Sequence, residues 1–313
     1  MLRAFALLIG TAASLVALGP LVGPPTEPLL APLAGTVPAA EPAAPAGPLP
    51  FYYDLYTFRG EGGRTDVVAS VAVPARGLES ERVDGTVRYR FDIRFVVSDT
   101  LRRTVARTDD SVFVAGPGSL DQSHLLHTHV QVEAPPSRTT IQRVIMTDAT
   151  RPGVGQLYSS FFPVPDYRGD ALMLSDIALG LPGAVRGWTR RGVTLALLPT
   201  SQFPESAFDV YYEIYNPTPG ARYETELAVE PLGGGEDPGA PVRLRFEGDV
   251  PRTHDGIVGE LRRVATALPE GAYRLRVTVT EPETGRSATT ARTFAVRPWE
   301  AGATMVAALP RRR

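Results

Sequence analysis

The sequence predicts an all-β fold, with two tandem immunoglobulin-like β-sandwiches that follow a signal peptide and a proline-rich linker. Three observations lead to this prediction. Apolar and polar residues alternate along many short segments, clusters of glycine and proline separate those segments, and the second half of the chain repeats the pattern of the first. A two-residue period is typical of antiparallel strands that bury one face. Regular turns between such strands favour β-sandwiches.

The N-terminal segment predicts export. Residues 1–19 contain one early positive charge, Arg3, followed by an apolar run from Ala4 to Leu18. A run of about 15 apolar residues suits the core of a signal peptide and is short for a membrane span. The segment is therefore predicted to be a signal peptide or an N-terminal membrane anchor. Either one places the rest of the chain outside the cytoplasm.

A linker is predicted over residues 20–50, which contain ten prolines. Proline has no backbone N–H and a fixed φ, so this stretch is excluded from helices and central strands. We predict an extended, semi-rigid spacer.

The two predicted sandwiches span residues 51–166 and 170–299. In "TVRYRFDIRFVV", every second residue from Val87 to Phe95 is apolar and the residues between them are charged. The tail of residues 300–313 is predicted to be a small helix or a loose end.

Two matches between the halves suggest an internal repeat. "YYDLY" at residues 52–56 resembles "YYEIY" at residues 211–215, and residues 136–165 align without a gap with residues 269–298. The order of the two matches is the same in both halves. We therefore interpret the chain as two copies of one domain.

The gapless alignment makes two local predictions. It matches Phe161 with Phe294, and it matches Thr140 with Tyr273, which follows a Pro-x-Gly corner and opens a strand. A tyrosine in this position is typical of the tyrosine corner of immunoglobulin-like domains, whose hydroxyl donates to backbone a few residues upstream. Tyr273 is thus predicted to have a structural role.

The order of "FYYDLYTF", "LMLSDIAL", "FPESAFDVYYEIYN" and "LPEGAYRLRVTVTEPETGR" resembles the paired β-sandwich region of the GWxTD-domain proteins, which are bacterial envelope proteins. The resemblance covers most of residues 51–298, although the naming motif is absent and "GWTRR" at residues 187–191 shares only its first residues. It implies a location in the periplasm or on the cell surface of a bacterium. It implies no catalytic residues.

Composition excludes several chemistries. The chain has no cysteine, so it has no disulfide, thiolate metal site or thiol nucleophile. All 32 basic Lys+Arg positions are arginine, which excludes a P-loop lysine and a Schiff-base lysine. A net charge of −2 gives no basic surface for nucleic acid. We predict neither a cofactor nor a nucleic-acid partner.

Histidines form one candidate site. His127 and His129, in "HLLHTHV", lie on one face if the segment is a strand, and two imidazoles at this spacing can ligate zinc or copper. His124 has the wrong parity for a third ligand unless the strand bulges. The alternative is an ordinary exposed strand face, and our overall prediction is that no metal is held.

Tyrosines form a second candidate site, because the repeated segment places aromatic rings on both faces of a strand. One face must enter a core, and the other is a candidate binding strip for a sugar or a peptide. Ordinary strand packing is the alternative. The residues concerned are Tyr52, Tyr53, Tyr56, Tyr211, Tyr212 and Tyr215.

Two further groups of residues are candidate sites. Arg88 and Arg90 lie on one predicted sheet face, where planar guanidinium groups can pair with the carboxylates of a partner protein or simply remain solvated. Ser175, Asp176 and His254 are the residue types of a hydrolytic triad, but no G-x-S-x-G turn exposes a nucleophile.

Together these observations favour an exported, non-enzymatic envelope protein, a tandem immunoglobulin-like module that binds or scaffolds other envelope proteins. A carbohydrate- or peptide-binding module that uses the tyrosine-rich strands is the alternative. A hydrolase is the third interpretation.

Overall fold

The computed structural model describes most of the chain after residue 47. The described ranges are 48–121, 124–184, 186–199, 207–232, 241–253, 255–265 and 268–296, together with the backbone of 305–307 and 309–310. The predicted signal peptide or anchor, and the linker up to residue 47, therefore lie outside the described residues. Within the described ranges, no helix has the length and hydropathy of a membrane span.

Twenty strands and two short 3₁₀ turns make up the regular structure of these ranges. In chain order the strands are β1 Tyr52–Arg59, β2 Thr65–Pro74, β3 Ser80–Val83, β4 Thr86–Asp99, β5 Thr104–Gly116, β6 Leu125–Ala134, β7 Thr140–Asp148, β8 Gly155–Phe161, β9 Met173–Leu174, β10 Ala178–Leu181, β11 Trp188–Arg190, β12 Val193–Leu197, β13 Ala207–Tyr215, β14 Arg222–Pro231, β15 Val242–Asp249, β16 Ile257–Ala265, β17 Gly271–Glu281, β18 Arg286–Val296, β19 Met305–Ala307 and β20 Leu309–Pro310.

The strands form four sheets. The first sandwich pairs the sheet β1-β2-β6-β19 with the sheet β20-β5-β4-β7-β8, and β3 also pairs with β4. The second sandwich pairs the sheet β11-β12-β10-β13-β16, in which β9 also pairs with β13, with the sheet β15-β14-β17-β18. Neighbouring strands are antiparallel except β19, which runs parallel to β6. The predicted all-β fold of immunoglobulin-like sandwiches is confirmed.

Each sandwich has its own hydrophobic core, built from alternate residues of its two sheets. Burying these side chains removes apolar surface from water, which is the main favourable contribution to folding. Large core residues of the first sandwich are Phe91, Ile93, Phe95, Val144 and Met146. Large core residues of the second are Phe208, Tyr212, Ile214, Leu275 and Val277.

Strand order shows which parts of the two sandwiches correspond. The order β1-β2-β6 matches β10-β13-β16, and β5-β4-β7-β8 matches β15-β14-β17-β18. By position in the sheet, β13 is therefore the counterpart of β2, and β10 is the counterpart of β1. The match between "YYDLY" in β1 and "YYEIY" in β13 thus joins strands that are not equivalent, whereas the match between β7 and β17 joins equivalent strands.

The second sandwich contains an extra hairpin, β11–β12, between β10 and β13. The first sandwich has only the short turn of residues 60–64 at the same place. Gly187 begins the hairpin with φ +150°, and a Cβ there would overlap the carbonyl oxygen of Leu195. This glycine therefore allows Trp188 to approach the neighbouring strand closely.

The gapless alignment is wrong by one residue in the last strand of each sandwich. Val144 pairs with Tyr158, whereas its counterpart Val277 pairs with Thr290. The β7–β8 turn thus holds one residue more than the β17–β18 turn, and a one-residue shift turns every side chain to the opposite face. Consequently Phe161 is 77% exposed, while Phe294 is buried.

The C-terminal segment returns to the first sandwich. β19 pairs with β6 at Met305–Ala307, and β20 pairs with β5 at Leu309–Pro310, so the segment adds one strand to each sheet of that sandwich. For these residues the expected small helix or loose end is wrong, and the last strands of the chain extend the sheets of its first half.

Tyr273 makes the hydrogen bond that its position in the sequence predicts. Its hydroxyl donates to the carbonyl oxygen of Pro269, four residues upstream, at 2.7 Å. Its ring stacks on Phe294 with 5.5 Å between centroids. In the first sandwich, the matched Thr140 also has a structural contact, because its hydroxyl donates to the carbonyl of Phe162.

We expect Tyr273→Phe to lower the free energy of unfolding by about 1 kcal/mol, since it removes one hydrogen bond and leaves the stacked ring. Urea unfolding followed by circular dichroism measures the change. Tyr52→Phe is the control, because the Tyr52 hydroxyl makes no hydrogen bond to the described part of the chain. Equal changes in the two variants would remove the tyrosine-corner assignment.

Candidate functional site

A third apolar cluster lies between the two sandwiches. It joins the outward faces of β1 and β2 to the outward faces of β10 and β13 and to the extra hairpin β11–β12. All ten residues of β2 are buried, because one face of this strand enters the core of the first sandwich and the other enters this cluster. The cluster consists of Tyr56, Phe58, Val68, Ala178, Trp188, Leu195, Leu197 and Tyr211.

Arg190, at the end of β11, crosses from the second sandwich to the first. Its Nε donates to Glu213 Oε1 at 2.7 Å and its Nη2 to Glu213 Oε2 at 3.0 Å, which is a bidentate pair. Its Nη1 donates to Asp66 Oδ2 on β2 at 2.7 Å, and its Nη2 also donates to the carbonyl oxygen of Arg59. We call Arg190, Asp66 and Glu213 the Arg190 cluster.

Glu213 is the fully buried member of that cluster. The hydroxyls of Tyr211 and Tyr215 donate to its two carboxylate oxygens at 2.9 and 2.8 Å. Burial, and next the adjacent Glu213 carboxylate, raise the pKa of both tyrosines, so both stay protonated and act as donors. The charge of Glu213 is therefore balanced by guanidinium and hydroxyl groups rather than by water.

The pKa of Arg190 reflects the same balance. Burial alone lowers the pKa of a guanidinium, but the carboxylates of Glu213 and Asp66 outweigh this effect and raise the pKa above its ordinary value. The ring of Phe58 also lies 4.9 Å from the Arg190 guanidinium carbon and adds a cation–π contact.

Arg292, on β18, makes a second crossing between the sandwiches. Its Nη1 donates to Asp176 Oδ2 at 2.7 Å, and its Nη2 donates to the carbonyl oxygen of Leu55 on β1 at 2.8 Å. It also pairs with Asp54 on β1, and its guanidinium carbon lies 4.0 Å from the centre of the Tyr56 ring. We call Arg292, Asp54 and Asp176 the Arg292 cluster.

A cleft of about 260 Å³ lies at the junction of the sandwiches. Three arginines line it, but two of them already have carboxylate partners, since Arg168 pairs with Asp166 and Arg64 lies near Glu133. The third, Arg59, donates to Asn216 Oδ1 at 3.0 Å and stacks over the ring of Tyr215. The buried Nε and Nη2 of Arg59 make no hydrogen bond within the described residues, so the cleft lining keeps one incompletely paired guanidinium group.

The predicted tyrosine strip is placed mostly inside the molecule. Four of its six members, Tyr56, Tyr211, Tyr212 and Tyr215, have no exposed surface. The second aromatic face that the sequence suggests does exist, and it packs against the other half of the same chain. Tyr52 and Tyr53 are half-buried, and Tyr53 stacks on Tyr158 with 5.5 Å between ring centroids.

Arg88 and Arg90 lie on the outer face of the β4 sheet. Arg90 is exposed and 3.5 Å from Glu81, and it stands directly opposite Phe113 of β5, which is 37% exposed. Arg88 is half-buried beside them and opposite Ala115. Arg88, Arg90 and Phe113 lie on one face of the sheet together with Glu81, and we call this surface the arginine face.

His127 and His129 share one face of β6, on the side opposite the core of the first sandwich. Burial lowers the pKa of His127 to about 4, with a further lowering by His129, and burial lowers the pKa of His129 to about 4 as well. Within the described ranges, no group of three His, Asp or Glu side chains is placed to hold a metal ion.

The residues considered for hydrolysis have structural contacts. The Ser175 hydroxyl is buried, donates to the carbonyl of Asp176 and accepts from the backbone N–H of Glu213 at 2.8 Å. Asp176 belongs to the Arg292 cluster, and His254 lies outside the described residues. The structure thus brings Ser175 and Asp176 into the junction between the sandwiches.

Sequence reasoning missed the two arginine clusters. A charged residue inside an apolar strand, such as Asp66 in "TDVVASVAV", is a signal that a buried partner exists. Nothing in the sequence pairs that residue with Arg190, which is 124 positions away. The pairing depends on the packing of one sandwich against the other.

Comparisons with known proteins leave the family open: no family model and no curated protein matches the chain. Among solved structures, it is similar to red sea bream transglutaminase, with 10% identity and a TM-score of 0.24 over 79% of this chain and 31% of that one. It is similar to Bacteroides uniformis beta-glucuronidase, with 8% identity and a TM-score of 0.27 over 75% of this chain and 26% of that one. It is also similar to the native conformation of E. coli alpha-2-macroglobulin, with 12% identity and a TM-score of 0.24 over 82% of this chain and 15% of that one. The chain spans less than a third of each of these proteins, and similarity at this level supports no functional argument.

We expect Glu213→Gln to lower the free energy of unfolding by about 3–5 kcal/mol, because it removes one partner of a buried ion pair and leaves Arg190 under-compensated. Urea denaturation measures the loss. The control is Glu226→Gln, since Glu226 pairs with the exposed Arg243 and Arg245, and surface pairs contribute about 0–1 kcal/mol. Similar losses in both variants would show that the Arg190 cluster contributes no more to the free energy of unfolding than a surface ion pair does.

The two histidines predict a pH dependence of stability. Both pKa values are lower in the folded protein, about 4, than the ordinary value of 6.5, so the unfolded chain binds more protons between these pH values. The contribution of these two histidines to the free energy of unfolding is therefore fully present above pH 6.5 and is lost as the pH is lowered towards 4. The loss is on the order of 1–3 kcal/mol per histidine. Thermal melts between these pH values test it: His127→Gln with His129→Gln should flatten the slope, whereas the control His124→Gln should keep it.

Proposed function

We propose that the chain is an exported, non-enzymatic protein of a bacterial envelope, in which two β-sandwiches act as one rigid unit that binds another envelope protein. The observation that carries the proposal is the junction between the sandwiches. It combines an apolar cluster with two arginine clusters, and each arginine contacts both sandwiches. Contacts between domains of one chain are commonly polar and allow relative motion, whereas a hydrophobic junction restricts it.

A rigid unit is useful where binding geometry matters. Burying a guanidinium group costs several kcal/mol unless carboxylates and hydrogen bonds compensate for it. Arg190 and Arg292 each have one carboxylate partner in their own sandwich, Glu213 and Asp176. Each gains a second one, Asp66 or Asp54, from the first sandwich when the two sandwiches are docked. This dependence supports a role in which the distance and angle between the sandwiches are fixed.

The arginine face is the surface that we assign to the partner. Arginine and aromatic residues are enriched in protein interfaces, and they often contribute most of the binding energy. Arg90 stands opposite the partly exposed Phe113, Arg88 lies two residues away on the same face, and the Glu81 carboxylate is 3.5 Å from Arg90. A partner with carboxylates at its surface can therefore form closer, bidentate pairs than this chain supplies itself.

Residues that suggested other functions support this proposal through their contacts. Ser175 and Asp176 are engaged in the junction, and four of the six tyrosines have no surface on which a sugar or a peptide could stack. We therefore rank protein binding above carbohydrate binding and hydrolysis. The predicted signal peptide or anchor and the proline-rich linker support a sandwich unit held at a distance from the membrane.

The test is crosslinking of the protein in its native cells, followed by mass spectrometry of the joined proteins. Arg88→Glu with Arg90→Glu should abolish at least one crosslinked partner and leave the melting temperature within a few degrees of the wild type. The matched control is Arg243→Glu with Arg245→Glu, a pair of exposed arginines at the same spacing on β15. Unchanged partners in the first double variant would exclude the arginine face as the interface.

A further inference from the structure

The strand β8 ends one sheet of the first sandwich and has an open side. Gly155 directs its carbonyl oxygen away from β7, where it accepts from the N–H of Leu49 at 3.4 Å. Residues of an antiparallel strand point their N–H and C=O groups to alternate sides. Leu157, Ser159 and Phe161 therefore direct theirs away from β7 as well, and no strand in the described part of the chain pairs with them.

Beyond Gly155, where Pro48 forms an isolated parallel bridge, the described residues give this edge none of the usual protection against pairing. Sheet edges are commonly guarded by charged residues, proline or a cover. The strand β8 reads "GQLYSSF" and contains neither charge nor proline. By contrast, β15, β16 and β18, which also end sheets, each carry arginine, and β15 and β16 carry acidic residues too.

The side chains beside the edge are apolar and exposed. Leu157 is 49% exposed and Phe161 is 77% exposed, both on the outer face of the sheet. Each stands opposite a half-buried isoleucine of β7: Ile145 faces Leu157, and Ile141 faces Phe161. Exposed apolar patches of this kind mark surfaces that associate.

We propose that β8 pairs with β8 of a second copy of this chain in antiparallel register about Ser159. In that register Leu157 stands opposite Phe161 of the second copy, and Ser159 stands opposite its own equivalent. Leu157, Ser159 and Phe161 of each strand then form six backbone hydrogen bonds across the two-fold axis, and the pairing replaces the 3.4 Å hydrogen bond from the Gln156 side chain to the Leu157 carbonyl oxygen. A shift of the register by one residue loses them, because it places residues bonded to β7 opposite Leu157, Ser159 and Phe161.

Self-complementarity selects the second copy as the occupant. In the Ser159 register, each exposed leucine meets an exposed phenylalanine on the same face, and cross-strand aromatic–aliphatic pairs stabilise sheets. Four apolar side chains then lie side by side across the joined sheets, in the order Ile145, Leu157, Phe161 of the second copy and Ile141 of the second copy. No charge faces another across the axis, so two identical edges meet without repulsion. The joined sheets form one continuous sheet through the isologous contact typical of a two-fold dimer.

This contact is distinct from the arginine face, so its test is independent of the function proposed above. The probes are the full chain and two single-cysteine variants, since the wild type has no cysteine. Ser159→Cys should give a covalent dimer with a short bifunctional thiol reagent. Ala291→Cys is the matched control, because Ala291 on the edge strand β18 pairs with Arg276 on β17, just as Ser159 on β8 pairs with Arg143 on β7. Equal crosslinking of both variants would overturn the proposal.

Sedimentation equilibrium supplies the second measurement. The wild type should dimerise as its concentration rises, and Ser159→Lys should weaken the dimer about tenfold or more, since it places two like charges opposite each other. Ala291→Lys should leave the dimer unchanged, and melting curves confirm that both lysine variants fold. A wild type that stays monomeric up to its solubility limit, or a dimer that Ser159→Lys leaves intact, would refute pairing through β8.

Discussion

The arrangement of the molecule depends on the burial of two guanidinium groups between its sandwiches. Arg190 and Arg292 each bind carboxylates from both halves of the chain, and a buried cation is stable only with such partners in place. The pairs with Asp66 and Asp54 are therefore conditional on docking, whereas those with Glu213 and Asp176 lie within the second sandwich. Either sandwich alone would expose a carboxylate or a guanidinium to water and would lose the apolar cluster around Trp188 as well.

Several unusual features of the sequence follow from this constraint. The strand β2 is apolar on both faces because it has a core on one side and the second sandwich on the other. The hairpin β11–β12 has no counterpart in the first sandwich, and it supplies both Trp188 and Arg190 to the junction. Tyr211 and Tyr215 combine bulk with a hydroxyl, so they fill the junction and donate to the buried carboxylate of Glu213.

Once these faces are used inside the molecule, the remaining surfaces differ in chemistry. The arginine face is charged and open, and it suits an acidic partner. The edge of β8 is uncharged and apolar, and it suits a copy of itself. A dimer joined through β8 would present two arginine faces on one continuous sheet. Two weak sites presented together bind a repeated partner more tightly than either site alone.

The sequence by itself determined the all-β fold, because a two-residue hydrophobic period with regular turns permits few alternatives. It also pointed to the Tyr273 corner, since that contact spans only four residues. Only the tertiary structure decided the equivalence of β13 with β2, the return of β19 and β20 to the first sandwich, and the exposure of Phe161. These features depend on turn length and on contacts between distant segments. Arg190 and Asp66 illustrate the reason: each is an ordinary charged residue in the sequence, and only packing makes them partners.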